Sequence, residues 1–175
     1  MPHRFTIRLL LALTAAAAPL ASTEPEDELK AATVLTFLRH SEWQNPPAGG
    51  KLTLGILGRS AMLDALRRNV DGKSANGRTV RVVFLQRPSD CLDCQAIYLA
   101  SDNRDELKQH ITGLRSSGLL VMGESDRLLE LGGAVSLIIV NGHMSFEVSQ
   151  DALSRSTIAI SSKLLRYGRV VGRQP

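Results

Sequence analysis

A chain of 175 residues is long enough for one domain once any targeting segment is set aside, and 43% hydrophobic with 22% charged side chains is ordinary for a globular protein. Aromatic side chains make up only 4%, which points to an aliphatic core and argues against a surface of exposed rings for stacking nucleic-acid bases. The formal charge of +4 comes from 21 basic against 17 acidic side chains; losing Arg4 and Arg8 with a leader leaves 19 against 17, too even to point to nucleic acid or an anionic membrane.

The first 23 residues read as a secretory signal peptide. Arg4 and Arg8 form a basic start, Leu9 to Ala18 is apolar, and small residues follow. The apolar run is short of the ~20 residues that a membrane span needs. Pro19 blurs the cleavage site, which falls between Ala17 and Thr23. The remainder, 24–175, is expected to form a single domain with no membrane insertion after cleavage.

Leu29 to Trp43 carries apolar residues at helical spacing, with Ala31, Val34 and Phe37 widening the stripe, so a helix with a broad buried face is expected there. Asn45 to Gly50 is a Pro/Gly loop. Leu52 to Leu57 is a short strand, Gly58 turns it, and Ser60 is placed to cap the helix carrying Met62, Leu63, Ala65 and Leu66. Thr79 to Leu85 and Gln95 to Ala100 read as strands. Asp102 is the expected cap of a helix whose core face is Leu107, Ile111 and Leu114.

Leu119 to Met122 is a further strand and Ser125 to Leu131 a helical turn. Ala134 to Val140 is aliphatic throughout, as in a strand covered on both faces. Asn141-Gly142 tolerates positive φ at both centres of a hairpin turn, and Met144, Phe146 and Val148 then alternate with His143, Ser145 and Glu147. Helices are expected at Gln150 to Ser154 and at Ser161 to Val171. In the second, Lys163, Arg166 and Arg169, with Arg173 just beyond it, would form a solvated basic face. Alternating strands and helices make this an α/β layered sandwich: a mostly parallel central sheet, helices on both faces and an antiparallel edge hairpin.

Little of the sequence suggests catalysis. Cys91 and Cys94 are the only cysteines, and in an exported protein they read as one structural disulfide. A thioredoxin-type redox site would need the first cysteine at a helix N-terminus, whereas this pair lies in a loop that enters a strand. Gly55 to Ser60 follows a strand and opens a helix, but it has neither the dinucleotide fingerprint nor the Walker spacing. His40, His110 and His143 stand at no metal-ligand spacing, and no G-x-S-x-G elbow occurs. No catalytic residue, metal or cofactor is therefore assigned.

Four stretches resemble the YfiR family of exported bacterial proteins. They are Thr36-Phe37-Leu38-Arg39-His40-Ser41-Glu42-Trp43, Leu54-Gly55-Ile56-Leu57-Gly58, Gly132-Gly133 with its apolar strand and Phe146-Glu147, and Ser161-Ser162-Lys163-Leu164-Leu165-Arg166. Their order and spacing match over roughly 26–171. One departure is Val148-Ser149 where the family usually has Ile-Asn; Ser149 can serve equally as a helix cap. The resemblance implies a periplasmic regulator rather than an enzyme. Its partner would be the periplasmic part of an inner-membrane signalling protein, a diguanylate cyclase, with control over cyclic-di-GMP and biofilm. A homodimer stays open. The alternative is a periplasmic small-ligand binding or sensing module using the crevice at the C-terminal ends of the parallel strands. If docking is the work, Trp43 and Glu147 are the candidate partner-binding residues. Trp43 is the only tryptophan, of the type that dominates interfaces. Glu147 is the family-matching member of the hairpin's outward row.

Overall fold

The computed structural model describes residues 24–45, 48–58, 61–101, 103–114 and 118–172. The expected leader, the Ser60 and Asp102 caps and Arg173 lie outside them.

Five strands form a parallel sheet: β2 (Lys51–Leu57), β4 (Arg78–Leu85), β5 (Ala96–Leu99), β6 (Leu120–Gly123) and β7 (Val135–Val140). Their spatial order is β4-β2-β5-β6-β7. Numbered among themselves they run 2-1-3-4-5, one of the two common doubly wound orders. Antiparallel strands flank them: β3 (Ser74–Ala75) lies beside β4, and β8 (His143–Ser149) beside β7. A tenth strand, β10 (Arg169–Val171), pairs with β8 in parallel, and β1 (Ser41–Trp43) with β9 (Ile158–Ile160) forms a separate antiparallel ribbon.

Alternation along each strand builds two cores from one sheet. In β5, Ala96 and Tyr98 face one side, while Ile97 and Leu99 face the other. The first side is covered by α1 (Glu24–Arg39) and α2 (Met62–Asn69) through Ala31, Val34, Phe37, Leu38 and Met62. The second is covered by α3 (Arg104–Leu114) and α4 (Leu128–Leu131) through Leu107, Ile111, Leu128 and Leu131. Burying each large aliphatic or aromatic side chain contributes about 1.5–3 kcal/mol. Phe37 and Phe146 meet edge-to-face, with centroids 4.8 Å apart and planes at 81°, and so join α1 to β8.

The connection from β4 to β5 carries no α-helix among its residues. A short 3-10 turn at Pro88–Asp90 leads to Cys91 and Cys94, which are joined by a disulfide. Both half-cystines pack on the second core. Cys94 Sγ lies 3.2 Å from where a Cβ on Gly55 would stand, and Leu85 Cδ1 is only 2.5 Å from the same point. Gly55 therefore leaves the space into which the disulfide loop and Leu85 pack.

Several local expectations hold. Asn141 and Gly142 have φ of 51° and 76°, as a tight hairpin turn requires. Ser149 Oγ accepts a hydrogen bond from the Ala152 amide at 3.1 Å and caps α5 (Gln150–Ser154). Others are corrected. The first helix stops at Arg39, and Ser41–Trp43 is a strand because β9 lies beside it. At α3 the capping oxygen belongs to Asn103, whose Oδ1 accepts from the Asp105 and Glu106 amides at 3.0 Å each. The expected helix from Ser161 to Val171 is only α6 (Ser162–Leu165), followed by β10. Gly168 is the reason: a Cβ there would lie 2.6 Å from the Phe146 carbonyl oxygen, so the chain passes flat against β8. Strand β7 is buried from Val135 to Leu137 only; Ile139 and Val140 are 39% and 47% exposed.

Candidate functional site

Trp43 closes β1 and is partly buried against the first core. Its indole N–H donates to the Gln95 carbonyl at 3.0 Å. Gln95 is a junction at the N-terminal ends of the parallel strands. Its amide donates to the Thr53 carbonyl at 3.0 Å, its Oε1 accepts from the Thr53 amide at 2.7 Å, and its carbonyl also accepts from the Leu120 amide at 3.1 Å. Trp43 thus fastens the β1–β9 ribbon to the starts of β2, β5 and β6.

Glu147 sits on β8 in register with Arg169 of β10 and forms an ion pair with it. Its side chain is 19% exposed and that of Arg169 is 70% exposed. The expected alternation is present, with Phe146 and Val148 buried. At Glu147 strand β8 is not the sheet edge, however, because β10 pairs with it from Glu147 to Ser149. Arg169, expected on a basic helix face, is the carboxylate's strand partner.

The two candidates do not converge. Glu147 is in the row Ser136, Gly123, Leu99 at the C-terminal ends of the parallel strands, whereas Trp43 is at the opposite ends beside β5. Three strand spacings separate them laterally, roughly 14 Å, with about 13 Å more along the strands.

A ligand crevice is expected at the C-terminal ends of the parallel strands, and between β2 and β5 those ends are closed at Gly58. The Ala100 amide donates to the Leu57 carbonyl at 2.9 Å, and a Cβ on Gly58 would lie 2.6 Å from the Ala100 carbonyl oxygen. A cavity of about 470 Å³ lies towards the N-terminal ends of β6 and β7, walled by Ile111, Leu114, Val121, Leu153 and Ile158 with Arg155 on its lining. Among the described residues no group of three or more His, Cys, Asp or Glu is placed to hold a metal ion, and no helix is long and apolar enough to cross a membrane.

The sequence reading passed over a buried charge. Lys30 is almost wholly enclosed on α1, and its ammonium meets Glu26 at 2.7 Å and Glu124 at 2.5 Å. Burial pushes its pKa down, but the hydrogen bonds and charges of Glu124 and Glu26 outweigh burial and hold it above the ordinary lysine value. The signal was available: Lys30, Val34 and Phe37 share one helical face, with Glu26 one turn before. Beside this cluster is a cleft of about 330 Å³ lined by Glu26, Lys30, Glu124, Asp126 and the β7 residues Leu137 to Ile139.

Among solved structures, the chain is similar to a conserved domain protein from Vibrio cholerae O1 biovar El Tor, with a TM-score of 0.58, 11% identity and 84% of this chain covered. It is also similar to an ABC domain in complex with L-Trp from Streptococcus pneumonia, with a TM-score of 0.55, 13% identity and 81% covered. In each case it spans 60% of the other chain, and at these identities the likeness is one of fold alone. The model of the YfiR/HmsC-like family matches residues 27–169, from the first turns of α1 to the start of β10. The chain belongs to the YfiR/HmsC-like family.

Proposed function

We propose that this is an exported regulatory protein that binds and represses a membrane-anchored signalling protein, a diguanylate cyclase. In this reading residues 1–23 are a secretory leader that is removed, and 24–175 work as one domain in the periplasm. The observation that carries the reading is the family match over nearly all of that domain. Regulation of this kind is done by surface, so the partner's periplasmic part is the ligand and no reaction is assigned to the chain. Trp43 and Glu147 are two separate candidate contacts, for the structure sets them at opposite ends of the sheet.

Deleting the gene tests the proposal. Cyclic-di-GMP and surface attachment should rise in the deletion strain and fall again on complementation. Unchanged nucleotide levels, where the protein is expressed in the parent, would count against repression of a cyclase. Mass spectrometry of the protein from the envelope tests the leader, and an intact Met1 would contradict its removal. The cavity walled by Ile111, Leu114 and Ile158 favours a second reading, a module that senses a small apolar ligand. A ligand that raises the melting temperature of the wild type but not of Ile111→Trp would support it.

A further inference from the structure

The outer half of β7 is an unprotected strand edge. Its ladder to β6 ends at Gly123↔Ser136, while its ladder to β8 continues to Val140↔His143. From Leu137 to Val140, roughly 13 Å of strand, no strand lies on the β6 side among the described residues. The sheet ends in short strands, β3 with two residues, paired to β4 only at Arg78 and Thr79, and β10 with three, paired to β8 only from Glu147 to Ser149. Proteins usually blunt an edge by shortness, charge or proline, yet this one reads Leu-Ile-Ile-Val and exposes Ile139 and Val140. A two-residue turn makes Val140 and His143 the hydrogen-bonded pair of the hairpin. By alternation the N–H and C=O of Ile139 point away from β8, towards the open side.

Charge decides what fits there. The cleft beside this edge holds Glu26, Glu124 and Asp126 against one cation, Lys30, which is already engaged by both glutamates. Asp126 is exposed and has no ion-pair partner among the described residues. A second copy of the chain would bring two such acidic sets together, whereas a basic strand would neutralise them. Leu137 faces α1, and Ile139 shares that side by the period of two. A strand laid beside β7 would therefore turn alternate residues towards the acids and the others towards Ile138 and Val140.

We propose that the outer half of β7 takes up an extended segment of a partner protein as an added strand, and that this segment alternates Lys or Arg with aliphatic residues. The inference rests on the partner-binding reading above and gives it a location.

The test uses the purified protein and an acetylated, amidated pentapeptide alternating lysine and valine. This peptide should bind about tenfold more tightly than its glutamate–valine counterpart, and binding should slow hydrogen exchange at the Ile139 amide. Ile139→Pro should abolish binding with the circular dichroism unchanged, because proline is tolerated where a strand's N–H faces solvent. Should that variant fail to fold, the lysine peptide N-methylated at its valines gives the same readout on the wild type and should not bind. Equal binding of the two charge variants, or undiminished binding to folded Ile139→Pro or of the N-methylated peptide, overturns the proposal. A wild-type dimer that becomes monomeric in Ile139→Pro also overturns it, by assigning the edge to a second copy. Because only purified protein and peptide are used, an unchanged cyclic-di-GMP level in the deletion strain would leave this result standing.

Discussion

Replacing Trp43 separates a residue that holds the fold from one that holds a partner. Trp43→Phe keeps a ring against the core and removes the N–H that donates to Gln95. The Gln95 carbonyl keeps the Leu120 amide, so no acceptor is stranded, and the cost is about 1 kcal/mol. In a domain of this size that lowers the melting temperature by about 2–4 °C. Trp43→Ala also strips the packing. Removing a fully buried Trp costs about 3–5 kcal/mol, and this one is only partly buried, so about 2–3 kcal/mol, or about 4–12 °C, is expected. Calorimetry on both variants, beside partner binding measured well below their melting temperatures, reads out the two roles. Trp43→Phe melting at the wild-type temperature would refute the hydrogen-bond argument. Full partner binding by Trp43→Phe and Trp43→Ala would make Trp43 a fastener alone.

Other substitutions test other parts of the fold. Glu147→Ala and Arg169→Ala each break a pair whose arginine is open to solvent and should cost about 1 kcal/mol by urea unfolding, so loss of partner binding by the folded variants reports the contact itself. Cys91→Ser with Cys94→Ser opens a short loop and should cost roughly 2 kcal/mol, about 4–8 °C in melting temperature; clear turnover in an insulin-reduction assay would contradict a structural bond. Lys30→Met leaves Glu26 and Glu124 facing each other and should cost about 1–3 kcal/mol. Because the Lys30 pKa is raised, its contribution is complete below the ordinary value of 10.5 and is lost only as the pH climbs through the higher folded value. The stability difference between wild type and Lys30→Met should therefore shrink above about pH 10.5; shrinkage between pH 7 and 9 would contradict the assignment.

What could be read from the sequence was whatever local rules decide. The five parallel strands, the Asn141-Gly142 turn and the Ser149 cap all depend on neighbours within a few residues. Strands β1, β9 and β10 are three residues each and exist because distant partners lie beside them, so periodicity over a window was blind to them. Ser161 to Val171 misled for the same reason, since its apolar spacing suited a helix and only the Phe146 carbonyl forbids a side chain at Gly168. The exposure of Ile139 and Val140 was also hidden, because an aliphatic run looks alike whether β6 reaches along it or stops at Gly123. At the candidate site, the outward row of β8 was legible. The hydrogen bond from Trp43 to Gln95, 52 residues away, was not.

The β1–β9 ribbon ties the beginning of the domain to its end. Residues 41–43 wait for residues 158–160, and the Glu147 strand waits for 169–171. A chain emerging from its N-terminus can form β2 to β7 and both sheet faces early, but the far end of α1 and the flank of β8 stay unlatched until the last segment arrives. Closing loops this long is slow relative to local pairing. Truncation after Leu153 would therefore do more than shorten the domain: it would bare the backbone of β1 at one end of the sheet and that of β8 from Glu147 to Ser149 at the other, leaving two sticky margins on a body that is otherwise built.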